Sequence, residues 1–325
     1  MGSVFQSQDL AASFSPHVTQ RSDFYPSIST LKCLVPDENH AMVQDEEALA
    51  KSLHPQQLLS DWIYTKAVTS FEAKLNAIAS SEVKHTHWAR YNSISKGQAA
   101  LFFSAIPSTF NKQNVSGPVF QSKVTLHLGL PMFEKDGMRC PKCPELLDTR
   151  GVHALNCKHG VCPTTRHRAM QVALCDIAKS CQLSAKMEQV ILNERDERTR
   201  PADVLILPLG LNNASPLVVD LVFANPMSKT YLKGSATRVN DHLVRAQEAK
   251  FAKSKESVEK RNMIFVPFAG DIYGNFLPSA HKLIRQFASM GAAHHDTSWK
   301  ELYRRFWTKL QFVLATAVSA QILQR

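Results

Sequence analysis

The order of apolar runs predicts a mixed α/β chain, in which a sheet flanked by helices is preceded by a cysteine-rich segment and a helical N-terminal region. Three observations carry this. Apolar residues recur at helical spacing between Asp45 and Ile78. Cys140, Cys143, Cys157 and Cys162 fall in one short polar window. Beyond them the runs read helix, strand, strand, strand, helix, strand, helix.

A chain of 325 residues accommodates one domain of roughly 150 residues and a smaller one. Hydrophobic content of 44% and charged content of 20% exclude a wholly disordered polymer. A net charge of +10 favours polyanionic partners. Seven cysteines are too few for a disulfide scaffold at this length, and their clustering points to metal binding in a reducing compartment. Met1 to Pro16 lacks the basic start and apolar run of a signal peptide. The most apolar segment, Phe312 to Ala320, is far shorter than the ~20 residues of a membrane span. A soluble intracellular protein, nuclear or cytoplasmic, with no membrane partner is expected.

Residues 1–40, rich in Ser, Gln, Asp and Pro without a sustained period, are expected to form a disordered arm. Residues 41–130 are expected to form a helical scaffold, with Leu49, Leu53, Leu58, Leu59, Trp62 and Ile63 on its first apolar stripe. Ala67, Phe71, Leu75 and Ile78 continue it, and His54-Pro55 splits it into two helices. Trp88, Phe102 and Phe103 are assigned to the core of a mixed segment that ends in Val124–Pro131. Residues 131–165 hold the cysteine window.

Residues 166–292 form the expected α/β domain. Arg166 to Cys181 carries the helical stripe Met170, Ala173, Leu174, Ile177, Ala178 and Cys181. Lys186 to Leu192 alternates like a half-buried strand, and Ala202–Leu207 and Leu217–Phe223 are two apolar strands around the turn-rich Gly210–Pro216. A long helix is predicted over Thr237–Lys260, a strand over Asn262–Phe268, and a helix over Pro278–Met290 stopped by Gly291. Residues 293–325 hold a last helix, Trp299–Leu323, whose Ser298 and Glu301 fit a capping box. Leu302, Phe306, Leu310, Val313 and Ala317 form its buried stripe. Trp307 falls off that stripe, which leaves a partner interface as the alternative to packing on the preceding domain.

Cys140-x2-Cys143, then His153, then Cys157 supplies the thiolate and imidazole ligands of a tetrahedral zinc site. Cys162 is an alternative to Cys157, and His159 to His153. Four protein ligands leave no open position, so such an ion is structural. Its place is to nucleate a segment poor in apolar residues and to present Lys142, Lys158 and Arg166 to phosphates. Asp203 and Asp220 lie in or beside apolar, strand-like runs, where a carboxylate is costly unless paired or bound to a cation. Adjacent strands can bring two such acids to one Mg2+. The competing reading pairs each acid with an arginine such as Arg198 or Arg200.

The ordered set resembles the restriction-like endonuclease domain of non-LTR retrotransposons, a divergent branch of the PD-(D/E)xK nucleases. The motifs that carry the resemblance are the Cys140, Cys143, His153, Cys157 knuckle, Arg166-His167, Arg200-Pro-Ala-Asp203 and Asp220. The phrases Leu128-Gly-Leu-Pro131 with Phe133, Gly151 to Cys157, and Phe265-Val-Pro-Phe-Ala269 through Gly274 add to it, over roughly residues 95–275. It implies a restriction-endonuclease-like mixed sheet and a Mg2+-dependent DNA-nicking activity held by Asp203 and Asp220. Structural Zn2+ would sit in the knuckle, and Arg166, His167, Arg200 and Lys253 would contact nucleic acid. DNA is the expected partner, with RNA as an alternative, together with a reverse transcriptase module in trans.

The pattern departs from the family at Asp220-Leu221-Val222, where the usual acid-x-Lys lysine is missing. Lys250, in the following helix, takes that role by resemblance, with Lys253 as its alternative. Ser254 stands where a tyrosine commonly follows, and Glu188 and Asp271 are candidate further carboxylates. The stretch Lys229–Arg261, with nine Lys/Arg against four Asp/Glu, is the expected backbone-gripping element. The absence of a polymerase signature makes the chain a stand-alone derivative or fragment on this reading. The second functional reading is a catalytically inactive, zinc-containing nucleic-acid-binding protein.

Overall fold

A computed structural model describes residues 55–95, 99–105, 114–159, 163–192, 198–207 and 215–325. The arm over residues 1–40, the stripe residues Leu49 and Leu53, and Cys162 lie outside the described residues. The chain divides into two compact units, Met1–Lys74 and Leu75–Arg325. Helix α1 (Pro55–Asn76) begins on the proline that the sequence marks as a break, because the ring's fixed φ suits a first helical position.

The second unit opens with α2 (Ser81–Ile94), whose N-cap Ser80 accepts the Val83 N–H. The short α3 (Leu101–Ser104) and α4 (Gly117–Leu128) follow. The segment Val124–Pro131 contains the end of α4 and the turn that follows it. Gly129 takes a φ of 70°, and the N–H groups of Gly129 and Leu130 bond back to Leu126 and Thr125. A two-strand ribbon, β1 (Met138–Arg139) with β2 (Leu146–Leu147), leads into α5 (Val152–Asn156).

Helix α6 (Pro163–Ser180) buries the predicted stripe of Met170, Ala173, Leu174, Ile177 and Ala178 against the main sheet. That sheet contains β3 (Ser184–Leu192), β4 (Arg198–Leu207), β5 (Leu217–Ala224) and β6 (Ile264–Asp271), in the order β3-β4-β5-β6. The first two pairings are antiparallel and the third is parallel. Strand β5 is paired on both edges and buries Val218, Val219 and Leu221, the near-continuous apolar run expected of an interior strand. Asp220 interrupts that run at 4% exposure.

The parallel β5–β6 connection carries α7 (Leu232–Thr237), α8 (Asp241–Lys250), a π-helical turn (Phe251–Lys255) and α9 (Glu256–Glu259). The single helix predicted from Thr237 is therefore corrected. Arg238 is extended and Asn240 adopts a φ of 64°, a left-handed conformation that asparagine tolerates, so the helix restarts at Asp241. Strand β6 is also displaced from the expected Asn262–Phe268, because Asn262 at a φ of 55° turns the chain before the strand begins.

Helices α10 (Pro278–Gly291) and α11 (Trp299–Leu323) complete the unit. The Ser298 hydroxyl accepts the Glu301 N–H at 3.2 Å, the capping bond read from the sequence. Trp307 is fully buried, with ring centroids of Phe276 and His281 at 4.8 and 4.6 Å. Its alternative assignment to a partner interface is corrected, since α11 is enclosed on more than one side and its off-stripe face also packs inward. Among the described residues no helix is long and apolar enough to cross a membrane.

Candidate functional site

Two clusters of titratable side chains stand in the second unit, and they are built differently; among the described residues only the first is a group that could hold a metal ion. The first grows from local turns. Cys140 follows β1 and its N–H bonds to the Glu145 carbonyl at 3.0 Å, closing the tight turn that holds Cys143. Asp148 caps α5 by accepting the N–H groups of Val152 and His153 at 3.0 and 2.7 Å. This orients His153 toward the turn, and Cys157 closes the set at the end of the helix.

The ligand atoms of Cys140, Cys143, His153 and Cys157 all lie within 4.8 Å of one another. Cys143 Sγ is 3.3 Å from His153 Nε2 and 3.7 Å from Cys157 Sγ. Tetrahedral zinc, with bonds of about 2.0–2.3 Å, requires ligand separations of about 3.3–3.8 Å; these two separations match, and the four residues could hold such an ion. Burial opposes ionisation of Cys140, but the Lys142 N–H, His153 and Cys143 outweigh it and bring the thiol down to about 6. Arg325 adds an outer contact, with Nη1 at 3.4 Å from Cys140 Sγ and Nη2 at 2.6 Å from the His159 carbonyl. Of the alternatives, His159 is outside the cluster, and Cys162 lies outside the described residues.

The second cluster is assembled from four elements. The β4–β5 register pairs Val204 with Val219, and the next residues along each strand are Asp203 and Asp220. Here side chains take over from the backbone ladder, because Asp203 Oδ2 accepts the Leu221 N–H at 2.6 Å. From α6, His167 Nε2 lies 2.9 Å from Asp203 Oδ2, and Gln171 Nε2 donates to Asp203 Oδ1 at 3.2 Å. From the end of α8, Lys250 Nζ donates to Asp220 Oδ1 at 2.6 Å.

The two carboxyl groups sense each other and divide their roles. Burial pushes Asp220 up to about 7; Lys250 opposes this and Asp203 adds to it. Burial also disfavours charge on Asp203, but His167, the Asp220 carboxyl and the Leu221 N–H outweigh it and hold Asp203 below its usual range. Of the pair, Asp203 carries the charge more readily. The Leu221 carbonyl, 3.3 Å from His167 Nε2, adds another oxygen at the same place. Protein groups already answer these oxygens: Asp203 meets His167, Gln171 and the Leu221 N–H, and Asp220 meets Lys250.

The remaining sequence-predicted residues fall elsewhere. Arg166 is 3% exposed, with its guanidinium on Gln321 Oε1 at 3.0 Å and the Phe223 carbonyl at 3.4 Å. The expected phosphate contact of Arg166 is thus corrected, since its charge is turned inward by the buried face of α6. His167 is bound into the carboxylate cluster. Lys253 is exposed in the π-helical turn, and Arg200 lies on β4 with its side chain outside the described residues.

Neither further carboxylate joins the pair. Glu188 is exposed beside Arg168 at 3.2 Å. Asp271 is fully buried, where Oδ1 accepts the N–H groups of Tyr273, Gly274 and Asn275 and Oδ2 lies 3.2 Å from His242. The sequence reading missed Gln171 and gave His167 a different role. Their i, i+4 spacing on a helix whose neighbouring positions are apolar was the available signal. No family model, no curated protein and no solved structure matches the chain.

Proposed function

We propose that the chain is a Mg2+-dependent DNA endonuclease of the nicking type, with a restriction-endonuclease-like core and a structural zinc in the cysteine knuckle. One observation supports this above the rest: Asp203, Asp220 and Lys250, from three elements, meet at one point of the sheet. The meeting of Asp203 and Asp220 in a largely buried place, at the end of a backbone ladder, is expensive even with Lys250 beside Asp220, and a metal cation would offset that cost.

In phosphodiester hydrolysis a water oxygen bonds to phosphorus, the bond from phosphorus to one sugar oxygen breaks, and the leaving oxygen takes up a proton. Mg2+ bound here would supply positive charge that favours the nucleophile and offsets charge on the phosphate. Asp203 and Asp220 would hold that ion. Lys250 would stand beside the phosphate to offset developing charge and to order water. His167 and Gln171 would fix the Asp203 carboxylate, which otherwise has rotamer freedom. Exposed Lys229, Lys233, Arg238 and Lys253 would grip the backbone.

A supercoiled-plasmid assay tests this. Mg2+-dependent nicking should fall at least about a thousand-fold in Asp203→Ala and in Asp220→Ala, of the order seen when groups acting directly on the transition state are removed. Nicking that survives both substitutions sinks the assignment. Tight DNA binding without nicking in the unmodified protein supports the inactive, zinc-containing binding protein instead.

A further inference from the structure

A small pocket lies where α2 meets the end of α4 and the loop before α5, lined by Thr86, His87, Arg90, Gly129, Arg150 and Tyr273 among others. Three of these carry or can carry positive charge, and no carboxylate lines it. Arg90 is 6% exposed. Its Nη1 donates to the His127 carbonyl at 2.7 Å, while its Nε is buried without a hydrogen-bond partner. A buried guanidinium N–H left unpaired beside a cavity calls for an acceptor.

The surroundings reinforce that demand. Burial, then Arg150, then Arg90 depress the His87 imidazole, and burial, then Lys123, then Arg90 bring His127 down to about 4. Asp136 has its pKa lowered by the Thr149 N–H first and by Arg150 last, and its Oδ1 already accepts the Thr149 N–H at 2.6 Å. Gly129, at a φ of 70°, keeps the Arg90 head clear, since a Cβ there would collide with it. The pocket has room of about 10 Å3, the size of one water or one phosphate oxygen. Met227 and Tyr273, which also line it, follow the C-terminal ends of β5 and β6, and β5 carries Asp220.

We infer that this pocket receives one non-bridging oxygen of a nucleic-acid backbone phosphate, with Arg90 at its base and Arg150 and His87 at its mouth. It rests on the nucleic-acid reading of the protein and adds an anchor remote in sequence from Asp203 and Asp220. A single-oxygen cavity leaves the sugar-linked oxygens of a phosphodiester outside, and the inorganic-phosphate arm of the test separates this source from a free anion. Arginine supplies the planar donor set for that oxygen.

The test is duplex-DNA binding to the full chain by fluorescence anisotropy across a salt series, with circular dichroism to verify folding. Arg150→Gln should weaken binding about three- to ten-fold and lower the slope of log K against log salt by about one unit, the signature of one lost phosphate contact. Arg90→Lys, which keeps a donor for the His127 carbonyl, should do the same. Arg150→Gln is read alone if Arg90→Lys misfolds.

An unchanged slope in folded Arg150→Gln overturns the inference whatever happens to nicking. Loss of nicking in Asp203→Asn with the Arg150 effect intact leaves it standing. If the chain ignores DNA while inorganic phosphate raises its melting temperature through Arg150, the source is a free anion and the backbone assignment falls. If neither DNA nor inorganic phosphate binds, the inference is overturned.

Discussion

The thiolate cluster and the carboxylate cluster are both metal centres on the proposed reading, yet they stand in opposite relations to the fold around them. Cys140, Cys143, His153 and Cys157 sit on a two-strand ribbon and a five-residue helix, elements too small to persist on apolar burial alone. Asp203 and Asp220 sit on a sheet stabilised by a large core, where their own burial is a liability. On the proposed reading a zinc ion would support the first segment, whereas in the second the sheet would support a site for a cation. This is the trade between stability and function expected where a fold holds groups it would be more stable without.

The sharpest way to break the comparison is to remove each centre in turn. Cys143→Ser should abolish stoichiometric zinc, measured by a colorimetric release assay, and unfold the knuckle, because zinc binding to such segments is worth on the order of 10 kcal/mol. Asp220→Asn should leave zinc content unchanged and, without Mg2+ at pH 8, leave the melting temperature unchanged or raised. A large destabilisation by Asp220→Asn would show that its pair with Lys250 outweighs its burial, and the contrast would collapse.

Lys123 sharpens it at intermediate size, because it is a buried charge with no ion to account for it. It is 1% exposed, and its Nζ donates to the Tyr273 carbonyl at 2.8 Å. Burial lowers its pKa from 10.5 to about 8, with Asp271 opposing. Below pH 8 both folded and unfolded states hold the proton, and the cost of burying the charge is fully present. Between about 8 and 10.5 the unfolded state holds more protons, so stability rises with pH. The total gain is on the order of 3 kcal/mol. Lys123→Met should lack this component, and chemical denaturation at pH 7.5 and 10 compares the two. The same slope in both proteins refutes it.

The smallest expected effect lies at the outer contact of the thiolate cluster. Arg325→Ala should weaken zinc binding about ten-fold in a chelator competition, the lower end of what outer partners of metal ligands contribute. No change would mean that the 3.4 Å approach to Cys140 Sγ contributes nothing to the ion's hold.

How far each centre could be read in the sequence follows from the same difference. The knuckle was legible because its ligands are set by turns a few residues long, and spacing along the chain maps directly onto spacing in space. The helical and strand elements were legible where one period dominated, as in α6 and β5. The carboxylate cluster needed a sheet register, a helix face and the end of a crossover helix at once, and residue spacing alone fixes none of these. Lys250 was reached through resemblance. The inward turn of Arg166 was readable in hindsight, since Met170, Ala173 and Ile177 follow it at helical spacing on the buried face. The break at Asn240 was hidden by the helical period on either side of it.

The bond from the Leu221 amide to Asp203 has a practical consequence. One backbone proton in the middle of the sheet is held by a side chain instead of by the neighbouring strand, so its resonance is a built-in reporter. Titrating a divalent cation should move the Leu221 amide signal in a heteronuclear spectrum while the Val219 signal, one turn of the pleat away, stays in place. Occupancy of the carboxylates could then be followed on a chain that never meets DNA.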